Sequence, residues 1–230
     1  MSGIYLLTIL FGVIGMAISW RLKSKFKTYS EIPLASNLSG KEIADKMLRD
    51  HGIYDVNVIS VEGQLTDHYN PTDRTVNLSA DVFHGRNAAS AAVAAHECGH
   101  AVQHARAYAF LQLRSSMVPM LSLANGFMPI MLMVGMMILY STGNALVLTI
   151  GVALFAAATL FSFITLPVEF DASNRALAWI KENGIVTSKE YEMSKDALWW
   201  AAMTYVVAAL GMLAQLLYYL NLLNGRRSND

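Results

Sequence analysis

The chain has one cysteine, Cys98, in 230 residues, so no disulfide can form within it. Such a chain suits a reducing compartment. A lone thiol of this kind is read as a small buried hydrophobe rather than a reactive group. Charge is also scarce. Only 15% of residues carry it, and 17 basic against 17 acidic side chains leave no net charge. That balance gives no hint of nucleic acid, and no nucleic-acid partner is expected. Proline is missing between Pro71 and Pro119, so nothing there forbids a long helix. Charge is absent altogether from three runs: residues 1–20, 115–168 and 197–225.

What fills those runs is apolar. Hydrophobic residues make up 54% of the chain, too many for an ordinary soluble domain. A membrane crossing needs about 20 residues. The middle run is too long for one crossing, and Tyr140-Ser-Thr-Gly-Asn144 is a natural turn within it. That predicts a hairpin of two spans over residues 118–139 and 145–166, and four spans in all. Residues 1–20 have no basic start and no small-x-small cleavage site, so they are read as a retained anchor. Of the 17 basic residues, 15 lie in segments 21–114 and 168–196. The positive-inside rule then puts both segments in the cytoplasm and both termini outside. Arg226 and Arg227 oppose this weakly. Gly126, Gly135, Gly151 and Gly211 in the spans allow close helix packing, within the chain or in a homo-oligomer.

The first cytoplasmic segment reads as a small α+β domain. Ser39-Gly-Lys-Glu42 is a capping box that opens a helix over residues 40–51. Residues 56–61 alternate as a strand does. Asp67-His-Tyr and Arg74-Thr-Val-Asn-Leu78 read as two short strands around the turn Asn70-Pro-Thr-Asp73. Residues 74–78 are then a candidate sheet edge, able to hold an extended peptide, or else an ordinary structural hairpin. Ser79 or Asp81 can begin a short helical turn. His68 and His84 are expected to be loop histidines. Asp67, Asp73 and Asp81 are spaced as a solvated surface, not as a calcium loop.

The chemistry lies in His96-Glu-Cys-Gly-His100, inside an alanine-rich stretch that starts near Asn87. Alanine favours helix. On a helix His96 and His100 stack on one face and can share a Zn²⁺. Glu97, one residue on, can take a proton from water as a general base. Gly99 lowers helix stability by about 1 kcal/mol against Ala. It marks either simple tolerance or the close approach of another element. Catalytic zinc usually takes three protein ligands. His104 shares the face, but lies eight residues from His96, about 12 Å along a straight helix. A wall or substrate-contact role suits it better. Glu169, just past Pro167, is the better candidate, since a carboxylate at a bilayer edge needs a partner. A helix-start acid beside the dipole is the competing explanation for it.

Ala95-His-Glu-Cys-Gly-His-Ala-Val-Gln103, the Asn70-Pro and Val-Asn-Leu78 strands, the hairpin of spans and Pro167-Val-Glu-Phe-Asp-Ala-Ser173 together resemble the YugP-type bacterial neutral zinc metallopeptidases. The resemblance runs over nearly the whole chain. More distantly, the chain is similar to the HtpX group of membrane gluzincins. The resemblance implies that His96, His100 and Glu169 are zinc ligands and Glu97 the catalytic base. In the HtpX-like pattern an Asp four residues after the ligand Glu supports a zinc histidine. Here that position is Ser173 and the nearest acid is Asp171, so either residue or neither can fill the role. Tyr108, Arg175 and His104 are candidates for a second oxyanion donor.

The expected protein is therefore mainly α: multi-pass membrane helices with a small zincin-like cytoplasmic domain. Its expected parts are a first span over 1–20, a metallopeptidase domain over 21–114, a span hairpin over 115–167, a cytoplasmic segment over 168–196 and a last span over 197–225. It is expected in the bacterial inner membrane, cleaving membrane-associated or unfolded proteins at the cytoplasmic face. A zinc transporter with His96 and His100 inside a span, and a non-catalytic membrane scaffold, are the rival functions.

Overall fold

The computed structural model describes residues 2–227, with side chains over 3–225. The side chains of Arg226 and Arg227 lie outside the described residues. Seven helices and three strands follow in the order α1 (Ser2–Ser30), α2 (Gly40–Asp50), β1 (Asn57–Val61), β2 (His68–Asn70), β3 (Thr75–Ser79), α3 (Ala80–His84), α4 (Ala88–Ala105), α5 (Ala109–Thr142), α6 (Leu146–Glu182) and α7 (Ser188–Arg227). The protein is mainly helical, and α1, α5, α6 and α7 are long and apolar enough to cross a membrane.

Local signals explain the boundaries. Ser39 and Glu42 form the reciprocal cap of α2, Glu42 accepting the Ser39 N–H at 2.7 Å. Asn87 caps α4 by accepting the Ser90 N–H at 2.9 Å. The expected break within the long apolar run falls between Thr142 and Leu146. There Gly143 takes φ +78°, and Asn144 accepts the Leu146 N–H to start α6.

The chain forms two compact units. One takes in the chain up to Met16, Leu113–Leu166, and the chain from Tyr205 onward. Its core is Ile4, Leu132, Leu139, Leu148, Val152, Phe155 and Tyr219. Of the four span glycines, Gly135 carries the closest approach. A Cβ there would lie 2.5 Å from the Leu148 N, so α5 and α6 touch backbone to backbone.

The other unit comprises Ala17–Gln112 and Pro167–Thr204. Its core joins Ile43 and Met47 of α2, Val76 and Leu78 of β3, Cys98 and Val102 of α4, and Trp179 and Ile180 of α6. The sheet order is β1-β3-β2. β3 pairs in parallel with β1 (Asn57↔Thr75 to Val61↔Ser79) and antiparallel with β2 (His68↔Asn77 to Asn70↔Thr75). This corrects the candidate reading of residues 74–78 as a sheet edge. The dozen or so residues between β1 and β3 are enough for a parallel return, which places β3 in the centre. Burial of Val76 and Leu78 fits a central strand. The free edges are β1 and β2.

Candidate metal centre

α4 sets the site. Its alanines, Ala88, Ala91, Ala92, Ala94, Ala95 and Ala101 among them, are buried, and their small side chains let other elements come close. Gly99 carries this furthest. A Cβ there would sit 2.5 Å from the Ala172 carbonyl oxygen and 3.1 Å from its carbonyl carbon. Of the two explanations open for Gly99, the structure supports close approach. The element that approaches is α6, and one turn before Ala172 it carries Glu169.

His96, His100 and Glu169 converge as a result. Each offers one ligand atom, and these atoms lie within 4.8 Å of one another. The Glu169 Oε2 is 3.3 Å from His96 Nε2 and 3.6 Å from His100 Nε2. Tetrahedral zinc with bonds of roughly 2.0–2.2 Å sets its ligand atoms about 3.4 Å apart. Both distances from Glu169 match that spacing, and two imidazoles with one carboxylate are a donor set that zinc accepts. Glu169 is almost fully buried at 4% exposure. A buried carboxylate needs compensation, and two imidazoles or a cation supply it. His100 shows the same coupling: burial pulls its pKa down, but the hydrogen bond and charge of Glu169 raise it overall, with help from Glu97 and Gln103.

Glu97 is buried beside this triangle. Burial raises its carboxyl pKa; His96 and His100 oppose the shift, and Glu169 and Asp67 reinforce it. A carboxyl whose burial favours its protonated form more than usual is suited to moving a proton.

The outer nitrogens of both imidazoles are engaged. Ser173 Oγ lies 3.1 Å from His96 Nδ1. His100 Nδ1 meets Gln103 Oε1 at 3.0 Å. Gln103 donates from Nε2 to the Val168 carbonyl and to Asp171 Oδ2, both at 2.8 Å. Asp171 also accepts from Arg175 Nε at 2.6 Å. So Ser173 reaches a histidine directly, while Asp171 reaches one only through Gln103. Sequence reasoning missed Gln103. The available signal was its place three residues after His100, on the same helix face.

The remaining candidates have other neighbours. His104 is exposed, and its Nδ1 is 2.7 Å from the Tyr69 hydroxyl on β2, outside the triangle. Arg175 lies over the Tyr108 ring at 5.9 Å. His68 contacts the Thr66 carbonyl, and His84 packs edge-on against Phe83. Asp67 accepts from the Ser79 backbone and hydroxyl, Asp73 from Asn70, and Asp81 from Gln64. Cys98 is buried, and burial pushes its thiol pKa well up, away from reactivity.

The sequence itself matches a known family. Residues 4–224 match the model described as "Putative neutral zinc metallopeptidase", and the chain belongs to that family. It is also 42% identical over 211 residues to the "Putative membrane protease YugP" of Bacillus subtilis (strain 168), covering 91% of this chain and 92% of that one. No solved structure matches the chain. Family membership implies zinc, in keeping with the donor set of the triangle.

Proposed function

We propose that the protein is a membrane-bound zinc endopeptidase in which His96, His100 and Glu169 hold the metal and Glu97 is the general base. The observation that carries this reading is the meeting of three zinc-type donors from two elements far apart in sequence, with a buried carboxyl beside them. When bound, zinc supplies the Lewis acidity that acidifies water and polarises a peptide carbonyl.

The chain's own residues do the rest. Glu97 takes the proton of the attacking water at its carboxylate and hands it to the leaving amine. Burial raises its pKa, which makes it a stronger base than an exposed carboxylate. Ser173 and Gln103 orient the imidazoles. β2 is the free sheet edge beside α4, tied to it by the Tyr69–His104 contact, and an extended peptide would lengthen the sheet there. His104 would form a wall of that groove.

In this reading the four apolar helices are spans, the unit bearing α4 faces the cytoplasm, and the enzyme resides in the inner membrane. Substrates are then juxtamembrane segments or unfolded chains. The transporter alternative is weakened because α4, which carries both histidines, is not among the four span-like helices. A purified chain in detergent should bind zinc and cleave an unstructured protein such as casein. Glu97→Gln should keep the zinc and lose cleavage. Full cleavage by Glu97→Gln would remove Glu97 from its role.

A further inference from the structure

The amide of Gln103 sits where zinc histidines usually meet a carboxylate or a backbone carbonyl. Its orientation is fixed by its surroundings. One end faces two groups that can only accept, the Val168 carbonyl and the Asp171 carboxylate, each at 2.8 Å. That end must be the NH₂. The carbonyl end therefore faces His100 Nδ1 at 3.0 Å, and an oxygen there can only accept. His100 Nδ1 must carry a hydrogen, which leaves Nε2 as the nitrogen that faces Glu169 and the ion position, the one that would ligate a metal. Burial leaves no water to offer Gln103 an alternative: it is 0% exposed.

The two histidines differ in this respect. Ser173 Oγ can donate or accept, so it orients His96 without choosing its tautomer. Only His100 is committed before a metal arrives. The commitment rests on the Val168 carbonyl and on Asp171, the one side chain among the two acceptors. Arg175 in turn holds Asp171 at 2.6 Å, on the same helix.

We propose that Gln103 is a positioning residue that locks the tautomer of His100, and that Asp171 sets zinc affinity through it by acting as an acceptor rather than as a charge. This rests on the zinc reading above. It assigns Asp171 and Ser173 separate duties, one for each histidine.

The test is a double-mutant cycle on the zinc dissociation constant of the full chain in detergent, measured by chelator competition. Gln103→Met is close in shape and lacks the amide. It should weaken zinc by about 10- to 100-fold. Asp171→Leu should weaken zinc several-fold in the native background and add nothing in the Gln103→Met background. Asp171→Asn removes the charge but keeps an acceptor, and should change zinc affinity less than about threefold. Thermal unfolding of the metal-free variants reports any structural loss separately. If Gln103→Met does not fold, the two Asp171 variants still decide. Equal losses for Asp171→Asn and Asp171→Leu, effects of Asp171→Leu and Gln103→Met that multiply, or unchanged affinity in a folded Gln103→Met chain would each overturn the proposal. A wild-type chain that binds no zinc would instead remove the reading on which it rests.

Discussion

Gly99→Ala tests how closely α4 and α6 must meet. Two effects compete. The alanine is worth about 1 kcal/mol in helix propensity. Against this, its Cβ would begin 2.5 Å from the Ala172 oxygen, whereas Cβ atoms almost never come within 3.0 Å and rest at 3.4 Å or more. The helices must part by about 0.5 Å at least (3.0 less 2.5) and about 0.9 Å for an ordinary contact (3.4 less 2.5). All three atoms met belong to the Ala172 backbone, so no side chain can swing aside. Overpacking of this kind costs about 1–3 kcal/mol, so the net change is a loss of about 0–2 kcal/mol. The metal site should suffer more than the fold. Glu169 lies one turn from Ala172, and a metal site tolerates about 0.2 Å of error in its distances. A shift several times larger takes the carboxylate out of reach of one imidazole or both. Zinc titration, with thermal unfolding of the metal-free chain, should show affinity down by at least about tenfold and Tm down by no more than about 8 °C. Native zinc affinity in Gly99→Ala would refute the argument that the contact with Ala172 sets the site.

Other outcomes follow from the same structure. Glu97→Gln should retain zinc and reduce turnover by about 10²–10⁴-fold, measured by peptide cleavage against metal content. The Glu42 carboxyl is held below its ordinary value of 4.5 by the Ser39 backbone and hydroxyl and by Arg86. A depressed carboxylate stabilises the fold above its unfolded pKa and loses that contribution as pH falls through its folded pKa. Glu42→Gln should therefore lower Tm at pH 7, and the difference should fade as pH drops below 4.5, as read by a series of melts. Because Cys98 is buried, single cysteines can report orientation. With the unit bearing α4 in the cytoplasm, a membrane-impermeant thiol reagent on intact cells should label Asn144→Cys and spare Gln64→Cys. The reverse pattern would invert the proposed topology.

The parts legible in the sequence were those written in local patterns. Charge-free length marked the apolar helices, and Gly143 with Asn144 marked their hairpin. Asn87, the alanines and His96-Glu-x-x-His100 marked α4 and the face on which its two paired histidines lie. What escaped depends on contacts between distant segments. Nothing in residues 74–78 says that β1 returns parallel to them, so a sheet edge and an ordinary hairpin strand were equally open, and the pairing with both β1 and β2 decides for the second. Asp171 and Ser173 were treated as alternatives because spacing shows only which one lies four residues past Glu169. The fold uses both, since Gln103 bridges the gap that Asp171 cannot. Glu169 alone had two explanations and the resemblance favoured the ligand; that its carboxylate lies beside both histidines depends on α6 meeting α4 at Gly99.

The central claim is that Glu169 completes a zinc site with His96 and His100. Metal analysis of the purified native chain and of Glu169→Gln, side by side after exhaustive dialysis, tests it most directly. The account predicts about one zinc per native chain and its loss from a folded Glu169→Gln chain. Full zinc occupancy in that variant, or none in the native chain, would contradict it.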